Sequence, residues 1–393
     1  MELNINKNNW KKVRLIDVLT KKEKNDKVNA SFRFDRFLKV EHMDAESLHI
    51  KRWASQKNGD ELNPYFYKIF RKGQILFPTR NPHLRRTALA SFDGICGEKT
   101  LTLESNEEFL IPDFIPFLFH SDSFYNHTTS AIVGSTNPHV RWRDVANYEF
   151  LLPPKDQQAK LAELLWAMDE VIEKDTKVLE KLKNKYQIEI ENSVPKNSSN
   201  FFYLKEITKL RKGLTYKSDD YSNETDGIPL LNLKSIERGG GFNENGIKYY
   251  GGIYKEEHFV KNDDLIIACT DITREGNVVG YPLHPKVYQD KKMLFTMDLL
   301  AIQLTSNKLI RDYLYYVLKA KWVHWRLFAN SPGTTVLHLN TNGLYKLKIP
   351  KFDIIDQEKI VDKLKKIENT ILIFQSKIKS SQTLQKSLIN QVF

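Results

Sequence analysis

The chain has 393 residues, 41% of them hydrophobic, enough to bury two or three domain-sized cores. Its 60 basic residues against 49 acidic ones leave a net charge of +11, a balance that points to an anionic partner. Two cysteines, Cys96 and Cys269, with no C-x-x-C pair, exclude a disulfide framework or zinc knuckle and fit a reducing cytoplasm. The opening MELNINKNNWKKVRL lacks a signal peptide's apolar core, and the run IPDFIPFLF at 111–119 is about half a membrane span. A soluble, cytoplasmic protein with no membrane contact is expected.

Residues 1–153 are mixed in pattern, with strand-like runs at GQILF (73–77) and YEFLL (148–152). SFRFDRF (31–37) reads as a half-buried strand in which Arg33 and Asp35 alternate with Phe32 and Phe34, Asp35 making an in-sheet ion pair. NPYF (63–66) reads as a turn entering a strand. From Pro154 to Asn192 there is no glycine or further proline, and the apolar period becomes helical, giving a first spacer helix over 154–192. SVPKNSSN (193–200) is a linker. Residues 201–350 return to the mixed style, with ERGGGFNENG (237–246) as a loop, and 351–393 is a second helix free of glycine and proline.

The halves repeat one another. FRKGQILF (70–77) resembles VKNDDLII (260–267), VGSTNPHVRWRDVANYEFLLP (133–153) resembles PGTTVLHLNTNGLYKLKIP (332–350), and VRLIDVL (13–19) weakly matches FYLKEIT (202–208). A period near 200 residues implies two copies of one domain-plus-helix unit. In the first helix Leu161, Leu165, Met168, Ile172, Leu179, Leu182 and Tyr186 fall on alternating steps of four and three, with Asp175 the polar exception. In the second, Ile360, Leu364, Ile367, Ile371, Phe374 and Ile378 do the same. This is a coiled-coil seam. Adding 199 maps one onto the other from Leu161 to Leu179, and the match fades beyond. Aligning Asp156 with Asp356 leaves one extra residue in the first helix start.

A compact second domain must return the chain near the first helix's end, so the helices are expected to be antiparallel, each about 57 Å long at 1.5 Å per residue. The expected fold is α+β: two similar mixed α/β domains separated by a long antiparallel two-helix coiled coil, pseudo-two-fold symmetric.

No catalytic constellation is written in the chain. GGG at 239–241 lacks a phosphate-loop frame, the ten histidines form no ligand pair, and no G-x-S-x-G elbow occurs. Polar and basic residues that could hold phosphate or read base edges cluster after equivalent strands. In the first half these are Arg80, Asn81, Arg85, Arg86, Ser135, Thr136, Asn137, Arg141 and Arg143. In the second they are Asn232, Lys234, Arg238, Thr270, Arg274, Thr334 and Thr335. For each singly, a surface role or a turn bond competes with DNA contact.

The repeated helix starts (Asp156 to Leu161; Asp356 to Ile360), the Gly-Ser/Thr-Thr before each, the Trp10–Val13–Leu15 opening and GIPLLNLKSI (227–236) resemble the specificity subunits of type I restriction-modification enzymes. The first half shows no clear equivalent of 227–236. The resemblance implies two target-recognition domains (1–153 and 201–350) that read the two halves of a bipartite double-stranded DNA site, with the helices setting the gap. It also implies that the chain has no catalysis or cofactor of its own. Two modification (methyltransferase) subunits using S-adenosylmethionine, and restriction (helicase-nuclease) subunits using ATP and Mg, would dock on it. A coiled-coil interaction protein whose basic domains bind RNA or a protein is the other reading.

Overall fold

The computed structural model describes residues 5–393, and the chain divides into two units. One holds the described residues up to Lys177 together with Gln375–Phe393; the other is Val178–Phe374.

In the first unit, strand Lys11–Arg14 pairs antiparallel with Glu149–Leu152, which runs directly into the first long helix. Between them lie a four-stranded sheet, ordered Leu19–Lys21, Thr100–Ser105, Ile75–Pro78, Ala88–Leu89, and a five-stranded sheet, ordered Lys24–Asn25, Phe66–Phe70, Gly94–Gly97, Arg36–Leu38, Ala54–Ser55. The second unit repeats the plan. Phe201–Tyr203 pairs with Lys348–Pro350; Thr208–Lys212, Leu299–Leu304 and Asp264–Ala268 form a three-stranded sheet. A four-stranded sheet runs Tyr221–Ser222, Lys248–Tyr250, Ile228–Leu231, Leu294–Phe295. The matched segments of the sequence fall on matched elements: Leu15–Val18 and Leu204–Ile207 are both short helices, and Ile75–Pro78 and Asp264–Ala268 are both buried strands.

The structure supplies the equivalent of 227–236 that the sequence hides. Ile228–Leu231 runs parallel to Leu294–Phe295, and Arg36–Leu38 runs parallel to Gly94–Gly97. Each is followed by a tight turn closed by the side chain three residues on: Lys39 N–H donates to His42 Nδ1 and Asn232 N–H to Ser235 Oγ, both at 3.2 Å. Residues 36–43 and 229–236 therefore share cap geometry but little identity. The expected strand over 31–37 is corrected accordingly. Ala30–Arg33 is a helical turn with Phe32 exposed, and only Arg36–Leu38 is strand. Asp35 makes no in-sheet ion pair; it accepts from Lys57 N–H and Ser55 Oγ, bonds that favour the carboxylate and lower its pKa. At 63–66 the chain does turn into a strand, Asn63 accepting from Tyr65 N–H.

The long helices, Lys155–Ser193 and Ile354–Val392, have 39 residues each, and their first and last residues are both 199 apart (354 minus 155, 392 minus 193). The repeat thus persists through the whole helix, beyond the point where side-chain similarity fades. Seam residues are the inward ones, and they pack across the helix pair and into the unit cores together. In the first unit Leu161, Leu165 and Met168 pack with Leu388, Ile389, Val392 and the aromatic core around Phe114. Ile172 and Ile378 are buried there, and Asp175 is paired with Lys377 at 2.9 Å. In the second, Leu179, Leu182 and Tyr186 pack with Ile360, Leu364, Ile367 and Ile371, while Phe374 is half-buried. Within each unit the helix segments run antiparallel: Leu165 meets Gln385 and Asp175 meets Lys377; Tyr186 meets Glu368 and Glu189 meets Lys363.

One buried glutamine fastens each helix start to its unit. Gln158 Oε1 accepts from Ile111 N–H at 2.8 Å, and its Nε2 donates to the carbonyls of Phe109 (3.0 Å) and Pro153 (2.9 Å). Gln357 makes the same three bonds, to Ile310 N–H (2.9 Å), Lys308 O (2.9 Å) and Phe352 O (3.0 Å). Gln158 is 1% exposed and Gln357 0%, so the loop's backbone groups have no water to turn to. These glutamines are 199 residues apart, which removes the extra residue expected at the first helix start; Gln157 is a different contact, accepting from Trp10 Nε1 at 2.8 Å. Replacing either clamp, Gln158→Ala or Gln357→Ala, should lower stability in denaturant melts by roughly 3 kcal/mol, since each orphaned buried backbone group costs about 1–3 kcal/mol. A loss under about 0.5 kcal/mol would show that the clamp is dispensable.

Candidate nucleic-acid interface

In the first unit, three loops meet at the ends of the strands. The turn at 40–46 touches the loop 79–87 through Glu46 N–H to Arg85 O (2.8 Å), and 79–87 touches 133–140 through Asn81 N–H to Pro138 O (3.0 Å) and Val140 N–H to Thr79 O (2.9 Å). Asn81 and Arg85 both have left-handed backbone, φ 50° and 51°, which bends the loop sharply around the short turn Pro82–Leu84. The second unit brings together the corresponding loops. Thr270–Asp271 pairs with Leu337–His338, and Gly239 N–H donates to Asn277 O at 3.2 Å.

These loops gather most of the sequence candidates on the surface. Arg80, Asn81, Ser135, Thr136, Asn137, Arg141 and Arg143 are exposed in the first unit, Arg143 beside Asp144 at 3.4 Å. Lys234, Arg238, Arg274, Thr334 and Thr335 are exposed in the second. Four others are taken up inside the chain. Arg85 is ion-paired to Glu46 (2.9 Å) and Asp122 (2.6 Å) and lies over the Tyr125 ring. Arg86 donates to Val40 O, with its Nε buried and without a partner. Asn232 is buried, its Oδ1 accepting from Lys234 N–H (2.9 Å) and its Nδ2 donating to Gly246 O (2.7 Å). Thr270 is buried and donates to Asp298. Apart from Lys234, a near neighbour of Asn232, their partners come from other segments of the chain, so the residue types alone do not reveal these contacts.

The structure places further residues beside Arg80. A cleft of about 370 Å³ in the first unit is lined by Asn63, Tyr65, Arg80, Glu98 and Lys99. Tyr65 is largely exposed, so an aromatic face, an amide and two cations share one opening with the carboxylate of Glu98, which pairs with Lys99 at 3.2 Å. Among the described residues there is no group of three or more His, Cys, Asp or Glu side chains that could hold a metal, and no helix is long and apolar enough to cross a membrane.

Charged contacts join each loop-bearing body to its helix segments. In the first unit His49 Nε2 meets Asp169 at 2.5 Å, a hydrogen bond that raises the histidine's pKa, and Lys51 meets Glu173 at 2.7 Å. In the second, Glu368 accepts from Tyr186, Tyr315 and Tyr316 hydroxyls, each at 3.1 Å, with Lys319 and His284 both at 3.5 Å. Burial pushes the Glu368 carboxyl up, but the His284 contact, the Lys319 charge and the Tyr316 bond outweigh it and hold it at about 2.

The family model described as the type I restriction modification DNA specificity domain matches residues 7–184 and 196–381. The MjaVIII type I restriction enzyme specificity subunit of Methanocaldococcus jannaschii is 22% identical over 301 residues, 70% of this chain and 68% of that one. The EcoBI specificity subunit of Escherichia coli is 23% identical over 158 residues, 40% of this chain and 30% of that one. Among solved structures, a chain from work on complex assembly and conformational transition of a type I system aligns at TM-score 0.60 and 20% identity, covering 98% of this chain and 97% of that one. The S subunit of a type I system from M. genitalium aligns at 0.58 and 17%, covering 100% and 98%. These likenesses establish the fold.

Because the folded carboxyl of Glu368 sits at about 2, below the ordinary glutamate value of 4.5, its stabilisation is complete above about pH 4.5 and is lost as pH falls toward 2. Glu368→Gln should flatten that part of the stability–pH curve, and Glu368→Ala should cost roughly 3–5 kcal/mol at neutral pH, as expected when one partner of a buried charge cluster is removed. Denaturant melts of the three proteins from pH 3 to 7 measure both; a Gln variant with the parent's acid slope would contradict the assignment.

Proposed function

Since the chain belongs to the type I restriction modification DNA specificity domain family, we propose that it is the DNA-reading subunit of a cytoplasmic type I complex. Each unit contacts one half of a bipartite double-stranded target, and the long helices set the gap between the halves. The observation that carries this reading is duplication: each unit builds corresponding loops with exposed arginine and threonine side chains, joined by asparagine and serine in the first and by lysine in the second, and each unit has its own glutamine-clamped helix start. Cations can take phosphate or guanine, and amides and hydroxyls can take base edges, so one loop set supplies both affinity and discrimination.

In this reading the chain performs no chemistry. Modification subunits that carry S-adenosylmethionine chemistry and ATP-driven restriction subunits dock on it, and the bound DNA sequence decides where they act. Relatives that share the name specificity subunit support this division of labour.

Exchanging residues 201–350 for the matching segment of a relative should change one half of the methylated motif and leave the other intact, as read by methylome sequencing. Change in both halves, or in neither, would refute one reader per unit. Removing a loop cation, Arg80→Ala or Arg274→Ala, should weaken binding to specific duplex and reduce the dependence of log K on log salt by about one unit if the lost contact is to phosphate. An unchanged salt slope together with altered base preference would assign that arginine to a base instead.

A further inference from the structure

An exposed aliphatic side chain sits within the second unit's loop face. Ile272 is 73% exposed, between Thr270–Asp271 and the exposed Arg274, on a loop whose neighbours carry Arg238, Thr334 and Thr335. The loop around it is built rigidly. Asp271 is fully buried, and its carboxylate accepts from Thr273 N–H and Oγ1 (2.7 Å each), Val278 N–H (2.6 Å) and Val279 N–H (3.1 Å). The backbone of Thr270–Asp271 is paired to Leu337–His338, and Asn277 O is held by Gly239 N–H. Gly276, at φ +66°, lets the loop approach Phe328 so closely that a Cβ there would lie 2.2 Å from the ring. Four independent ties thus fix the segment whose outward side chain is a stiff, β-branched hydrocarbon.

Lone exposed aliphatics are ordinary on protein surfaces. This one differs in its placement, on a fixed loop among cations and hydroxyls, where its ordering cost has already been met before binding. In the major groove the only apolar group offered by the four bases is the C5-methyl of thymine. We propose that Ile272 reads a thymine methyl in the half-site contacted by the second unit, selecting thymine over cytosine at one position while Arg238 and Arg274 hold the neighbouring backbone. This rests on the DNA-reading assignment above and deepens it.

The test uses the full chain with its modification subunits and duplexes carrying the methylome-defined motif, with uracil replacing each thymine of that half-site in turn. Methyl transfer by the parent complex should fall about tenfold at one position, the scale expected for one lost apolar contact. With Ile272→Ala, thymine and uracil duplexes should react equally at that position, at the parent's uracil rate. No uracil-sensitive position, or the same sensitivity in the variant, overturns the role of Ile272 and leaves the DNA-reading assignment standing. A parent complex that methylates without sequence preference refutes that assignment itself.

Discussion

The buried amide of one glutamine in each repeat is the constraint on which the rest of the structure depends. A primary amide carries both an acceptor and two donors, so a single side chain at Gln158 or Gln357 satisfies one N–H and two carbonyls at once. Two of those groups belong to a loop about 47 residues upstream, and the third lies just past the strand that feeds the helix. The clamp therefore fixes where the strand stops, where the helix starts and how the helix leaves the domain body. Neither glutamate nor leucine could replace it: a carboxylate has no donors for the two carbonyls, and an aliphatic chain would leave three buried polar groups unpaired.

From that junction the seam follows. Once the helix start is fixed, Leu161 and Leu165 enter the first core and Ile360 and Leu364 the second, so the heptad residues serve as domain core and helix contact together. Polar ties then complete each unit differently, through His49–Asp169 and Lys51–Glu173 in one and through the tyrosine-ringed Glu368 in the other. The apolar layer is common to both halves, and the electrostatic layer is particular to each.

Much of this was legible in the sequence because duplication is a strong signal. The offset of 199, the helix periodicity and the matched strands all survive in the structure. The equivalent of 227–236 was not legible, because residues 36–43 keep a cap geometry in which histidine does the work of serine. Arg85, Arg86, Asn232 and Thr270 read as surface groups because their partners, among them Glu46, Asp122, Val40 and Gly246, are brought in only by folding. Ile272 left no mark at all, since a single isoleucine in a polar loop acquires meaning only when the loop's ties are seen.

The measurement that tests the central claim most directly is methylome sequencing of cells expressing the intact chain with its modification subunits. The account predicts a single bipartite motif, two specified segments around a gap of fixed length, that disappears when the chain is omitted. An uninterrupted motif, or methylation that is the same without the chain, would contradict it.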